Sequence, residues 1–300
     1  MLDSDFKWEV RGAGRFFTGL AALGLVMAAN PADAQDAVDL SAFEGYETWP
    51  MLMPDDLDLE RADLTDLRIY YDAQFPGAGG LDGPLIDTTM VLDVSGSHFR
   101  GQPALVIQWS STGEAGDTAS SGAIDRLVVD RRTHRLLHRI QAQPPAGGAV
   151  RWGGSYRITA FEADRITDTI VGEDGNARPT ELLDVSPDTI DFATLQFFLP
   201  FIDLEEGLSF RVPVYRYPLN ELNGLPVHVV GREEITDGNG TVHEVWAIDV
   251  MSIGGGALTR FWIDEDAPYF LGWDYRLART GRRITRMDYR SHWQFPESRG

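Results

Sequence analysis

Cysteine is absent from this chain of 300 residues, and its one lysine is Lys7. Without cysteine no disulfide can staple the fold, and no thiol nucleophile or thiolate metal ligand is on offer. A lipid-anchored bacterial lipoprotein carries its lipid on a cysteine, so the chain is not expected to be one. Positive charge is scarce: 26 Lys and Arg stand against 46 Asp and Glu, a formal charge of −20. So acidic a surface repels nucleic acid and anionic membranes, and neither is expected as a partner. Catalytic signatures are missing too. There is no G-x-S-x-G elbow, no P-loop, no G-x-G-x-x-G after a strand, no H-E-x-x-H and no EF-hand spacing. His134 and His138 are four apart in "THRLLHR", but the context reads as strand, turn, strand, which makes them a surface pair rather than zinc ligands. Neither metal nor cofactor is expected.

What is present begins with an address. Arg11 and Arg15 precede an apolar run over 16–29, too short to span a bilayer comfortably, and Ala32-Asp33-Ala34 follows it. Basic, apolar, then small-x-small is the order of a secretory signal peptide, with cleavage expected after Ala34. The rival for this stretch is a buried N-terminal helix or membrane anchor. Removing four acids and three bases with residues 1–34 leaves a net −19, every remaining base an arginine. The expected product is soluble, periplasmic or secreted, and monomeric.

Residues 35–64 are acidic and aperiodic and read as an irregular arm. Residues 65–300 read as one β-rich domain, with a split near 185 as the alternative. Short runs rich in Val, Ile, Thr and Tyr, such as "TTMVLDVSG", "ALVIQWSST" and "SYRITAFEA", recur between Gly, Pro, Asp and Asn clusters. Strands in that rhythm without intervening helices predict an antiparallel sheet. "TDGNG" predicts a hairpin, with His243 opposite Glu234. One segment differs: in "SPDTIDFATLQFFLPF", Phe192, Leu195 and Leu199 fall at helical spacing, which predicts a helix over 188–199 with Asp188 as N-cap.

"TRFWIDEDAPYFLGWDYR", residues 259–276, crowds carboxylates among aromatic rings. Asp264, Glu265 and Asp266 sit at a bend, where solvation keeps acids ordinary. A retaining glycosidase needs one carboxyl group in an apolar site and a second at a fixed short distance. The stretch therefore reads as a hairpin, with 262 facing 271 and 260 facing 273. Arg260, Trp262, Leu271, Trp273 and Tyr275 would share one side. Phe261, Ile263, Phe270, Asp274 and Arg276 would share the other. Trp246, Trp262 and Trp273 are expected to be buried rather than to form a sugar platform.

Three consecutive stretches resemble a known family. "FLPFIDLEEGLSFRVPVYR", "VVGREEITDGNGTVHEVWAIDV" and "LTRFWIDEDAPYFLGWDYR" look like bacterial exported proteins of unknown function, with a match mainly over 190–290. Those proteins are similar in fold to the LolA and LolB lipoprotein carriers. The resemblance implies a half-barrel of antiparallel strands with one or two short helices across its concave face. The expected role is non-enzymatic binding or carriage of an apolar ligand, a lipid or acyl chain, or of an envelope component. Phe192, Leu195, Phe198, Leu199, Trp246, Trp262, Trp273 and Tyr275 are the expected lining. The alternatives are a secreted hydrolase acting on a glycan, or a structural envelope protein that binds a partner protein.

Overall fold

The computed structural model describes residues 37–76, 85–111, 122–142, 156–162, 165–172, 174–183, 189–216, 221–252 and 255–294. The signal-peptide reading and Asp188 lie outside them. Strands β1 (Leu67–Pro76), β2 (Leu85–Phe99), β3 (Gln102–Ser111), β4 (Gly122–Asp130), β5 (Leu136–Ala142), β6 (Tyr156–Phe161), β7 (Arg165–Val171) and β8 (Ala177–Leu183) form a first meander. A second runs through β9 (Ile190–Asp191), β10 (Ser209–Arg216), β11 (Glu221–Thr236), β12 (Val242–Met251), β13 (Ala257–Ile263), β14 (Phe270–Leu277) and β15 (Arg283–Gln294). The two meanders join where β15 lies antiparallel to β1, giving a single sheet in the order 8-7-6-5-4-3-2-1-15-14-13-12-11-10-9. Every described pair is antiparallel except β9 with β10. The protein is thus a mainly β fold with one large, curved, open antiparallel sheet.

The curl follows from chain length. Leu183 ends the strand at one edge and Ile190 begins the strand at the other. Seven peptide units span at most about 25 Å, whereas fifteen strands laid flat would put those edges about 67 Å apart. The sheet must roll until its edges approach. Its inner side chains then meet across the middle: Trp109 of β3 and Trp273 of β14 lie 6.3 Å apart between ring centroids. Tyr71, Trp109, Phe261, Phe270 and Trp273 form a continuous aromatic wall. Alternate residues of β1 show the period of two, with Leu67, Ile69, Tyr71, Ala73 and Phe75 buried inside.

The helix is shorter than expected. Ile190–Asp191 is strand, Phe192–Thr194 a 3-10 turn, α1 only Leu195–Phe198, and Leu199–Phe201 a second 3-10 turn with Pro200 at its start. The cap is Asp191, whose Oδ1 accepts from the Ala193 amide at 2.8 Å. One turn of helix is all that fits between the paired strand before it and proline after it.

Two registers also differ from expectation. Ile263 does face Phe270, as the sequence reading requires. Leu271 is then a bulge, so Trp262 faces Gly272, Phe261 faces Trp273 and Arg260 faces Asp274. Trp273 therefore joins Phe261 inside, and Arg260, Trp262 and Asp274 share the convex face. Across the other hairpin His243 faces Ile235, not Glu234.

Candidate functional site

The interior end of the barrel is closed by two segments without sheet structure. The arm starts on the convex side, where Phe43 packs with Met251 and Leu258. It then bridges to the edge of β10 through Met51 and Arg211. From there it crosses to the inside, burying Ala62 and Leu64, with the Asp58 amide donating to the Phe201 carbonyl at 3.0 Å. Beneath it lies the plug, residues 192–204. Leu195, Phe197, Phe198, Leu199, Phe201, Ile202 and Leu204 are all buried in the main core. Phe197 reaches Phe270 of the aromatic wall at 6.5 Å.

A polar cluster fixes the plug at its start. Arg139 of β5 grips Asp125 of β4 with both arms of its guanidinium, Nε to Oδ1 at 2.9 Å and Nη2 to Oδ2. Its Nη1 donates to Asp191 Oδ1 at 2.8 Å. Asp191 thus holds the plug's first turn with the same oxygen that binds β5. Since β5 and β9 are far apart in the sheet order, Arg139 acts as a clasp across the opening between the edges. Gln141 adds a longer contact to Asp125, and beside it Arg157 pairs with Asp168, which also accepts from the Thr159 hydroxyl. Asp125 is 2 % exposed, and burial pushes its carboxyl above the usual carboxylate range against the pull of Arg139.

Reasoning from sequence did not single out Asp125, Arg139 or Asp191. A signal existed: in "DRLVVD" the alternation that buries Leu127 and Val129 also turns Asp125 inward, so a charge sits on an apolar face. That arrangement demands a buried partner.

The residues expected to line a ligand do not form one site. Leu195, Phe198 and Leu199 lie in the buried plug with half-buried Phe192 packed against the same core, to which Trp273 of the aromatic wall also belongs. Trp262 is on the convex face, where Arg286 stacks over its ring and its Nε1 donates to Glu233. Trp246 pairs with Ile263 on the inner face, half-buried against the main core under Arg232 at 4.1 Å, with its Nε1 donating to Glu265. Tyr275 packs separately with Ala257 and Ile284.

The histidine pair is corrected as well. His134 is not at the surface: it is 5 % exposed, in the turn between β4 and β5, and its ring meets Phe201 edge-on at 4.1 Å. His138 is half-buried against Phe99. Among the described residues no group of three or more His, Asp and Glu is placed to hold a metal, and no helix is long and apolar enough to cross a membrane.

An open sheet rolled around its own apolar segment defines a barrel-like β protein. Over residues 129–277, just under half of the chain, it is similar to a family described as "Protein of unknown function (DUF3108)". Among solved structures it matches a "Beta-barrel-like Protein of Domain of Unknown Function DUF1849 from Brucella abortus" at 10 % identity, over 78 % of this chain and 99 % of that one. The TM-score is 0.49, a likeness that carries no argument about function. Among curated sequences none matches.

Proposed function

We propose that the protein is an exported, non-enzymatic binding or carrier protein whose interior takes an apolar molecule, a lipid or acyl chain, in place of the plug. One observation carries this reading. The aromatic wall faces a short apolar segment tied at its start by the Arg139 clasp and at its end by the Asp58 amide and Arg61, where a closed barrel would face its own strands. Moving residues 192–204 would uncover that wall without breaking a hydrogen-bonded strand pair beyond the two residues of β9. The lipoprotein-carrier resemblance supports it in kind. Asp125 and Asp191 both close on Arg139, which disfavours a glycan hydrolase built on them. The tight packing of the plug favours a second reading, a structural envelope protein whose acidic surface meets a partner.

Two tests bear on this. Protein isolated from the producing cell should begin at Gln35 by N-terminal sequencing; an uncut cytoplasmic chain would overturn export. Phe198 is 1 % exposed. Its truncation to Ala weakens the closed form and so should raise the apparent affinity for an environment-sensitive fluorescent fatty acid by about tenfold, by population shift. Failure of wild type and Phe198→Ala alike to bind the fatty acid, with no lipid co-purifying by mass spectrometry, favours the structural reading.

A further inference from the structure

The arm that crosses the plug is fixed to the sheet at both ends. The Leu52 amide donates to the Arg211 carbonyl at 2.7 Å and the Arg211 amide to the Pro50 carbonyl at 2.8 Å, while β1 begins at Leu67. Between those ends it is tied down at three points. The Asp58 amide donates to the Phe201 carbonyl at 3.0 Å. Arg61 Nη1 donates to Asp203 Oδ1 at 2.6 Å, and its Nη2 stands 3.8 Å from Glu265 Oε1. The Asp63 amide donates to the Tyr269 hydroxyl at 3.1 Å. Glu265 and Tyr269 belong to the acidic turn between β13 and β14, and Glu265 also accepts from Arg232 and from Trp246 Nε1. One guanidinium therefore joins the end of the plug to a turn held by the sheet.

The two ends of the plug are held differently. At its start the Arg139 and Asp191 side chains are 11 % and 8 % exposed, so little water is at hand to replace their contact, and parting them is costly. At its end Asp203 is 86 % exposed and Glu265 50 %. Water replaces such contacts as they break, and dissolved salt screens them. The buried side chains of Ala62 and Leu64 resist opening at this end only while the arm stays in place.

We propose that the arm is a strap over the plug, that Arg61 is its catch, and that the plug opens from its Phe201 end about a hinge at Asp191. This rests on the plug being displaceable, as the carrier reading requires. Release of Arg61 lets the middle of the strap lift while both of its ends stay on the sheet. Phe201 and Leu199 then leave before Leu195, which stays beside the Arg139 clasp. Ionic strength becomes a control on access to the aromatic wall, because the catch is exposed and the hinge is not.

The test is amide hydrogen exchange on the intact protein, followed by NMR. Both halves of the plug carry reporters. Near the end, the Leu199 and Ile202 amides donate to the Leu195 and Leu199 carbonyls. At the start, the Ala193 and Leu195 amides donate to Asp191 Oδ1 and the Phe192 carbonyl. In Arg61→Ala, exchange at Leu199 and Ile202 should rise about three- to fivefold relative to Ala193 and Leu195. Asp203→Asn should act in the same direction. Raising salt from about 0.02 to about 0.5 M should do so in the unaltered protein and add nothing in Arg61→Ala. Equal acceleration at all four amides, acceleration at Ala193 and Leu195 alone, or no change in Arg61→Ala overturns the proposal. Should Arg61→Ala fail to fold, Asp203→Asn and the salt series decide the matter. Fatty-acid binding is measured separately. End-first opening without it keeps the strap and rejects the carrier, whereas binding with uniform exchange keeps the carrier and rejects the strap.

Discussion

Gly272→Ala is expected to abolish folding. Gly272 follows the Leu271 bulge at φ 140°, a backbone conformation closed to L side chains, and a Cβ there would stand 2.0 Å from the Met287 carbonyl oxygen. That oxygen belongs to the neighbouring strand and cannot move aside without breaking the β14–β15 pairing. The expected loss exceeds about 4 kcal/mol, enough to unfold a marginally stable domain. Gly96→Ala is the control: on β2 its added Cβ meets nothing within 4 Å. It should shift a urea midpoint by no more than about 1 kcal/mol equivalent, with either sign. Soluble Gly272→Ala protein with a wild-type midpoint would show that the bulge is not where it is described here.

Arg139→Met should cost about 3–5 kcal/mol at pH 7, because it leaves Asp125 and Asp191 buried with no cation between them. The pH dependence has a definite sign. Burial already raises the Asp125 carboxyl above its unfolded value, so the folded state takes up a proton more readily than the unfolded one. Lowering the pH therefore favours the folded form, and more so once Arg139 is gone. The difference between wild type and Arg139→Met in urea unfolding should shrink as pH falls from 7 towards 4. A difference below about 1 kcal/mol at pH 7, or one that widens on acidification, would remove the clasp from the account. Adding Asp125→Asn to Arg139→Met should restore part of the loss, since the two residues act through one contact.

These two residues mark where the sequence was readable and where it was not. Strand after strand was legible because burial on one face imposes a period of two, as in Leu67, Ile69 and Tyr71. The turn at 264–269 was legible too, and Ile263 faces Phe270 as its acidic bend suggested. The bulge one residue further on was not, because pattern alone assumes that pairing continues unbroken. Gly272, an isolated glycine inside a strand, was the available warning. The plug was recognised as apolar and in need of cover, but its helical content was overestimated, because spacing at 192, 195 and 199 cannot tell one helical turn flanked by 3-10 turns from three full turns. The clasp was hidden for a different reason. Asp125, Arg139 and Asp191 are far apart in the chain, and only the rolling of the sheet brings β9 beside β5.

The strand order sets a timetable for folding. Within each meander every strand lies beside its neighbour in sequence, so both halves can zip locally, by antiparallel pairing everywhere but at the parallel β9–β10 pair. The contact that unites them is the exception: Leu67 faces Gln294, the beginning and end of the strand-forming chain. During synthesis the first meander is complete long before its partner strand emerges, and β1 waits with an unpaired edge and Trp109 without Trp273. The last strand made is the one that joins the halves, and a nascent chain is vulnerable to edge-to-edge association until it arrives.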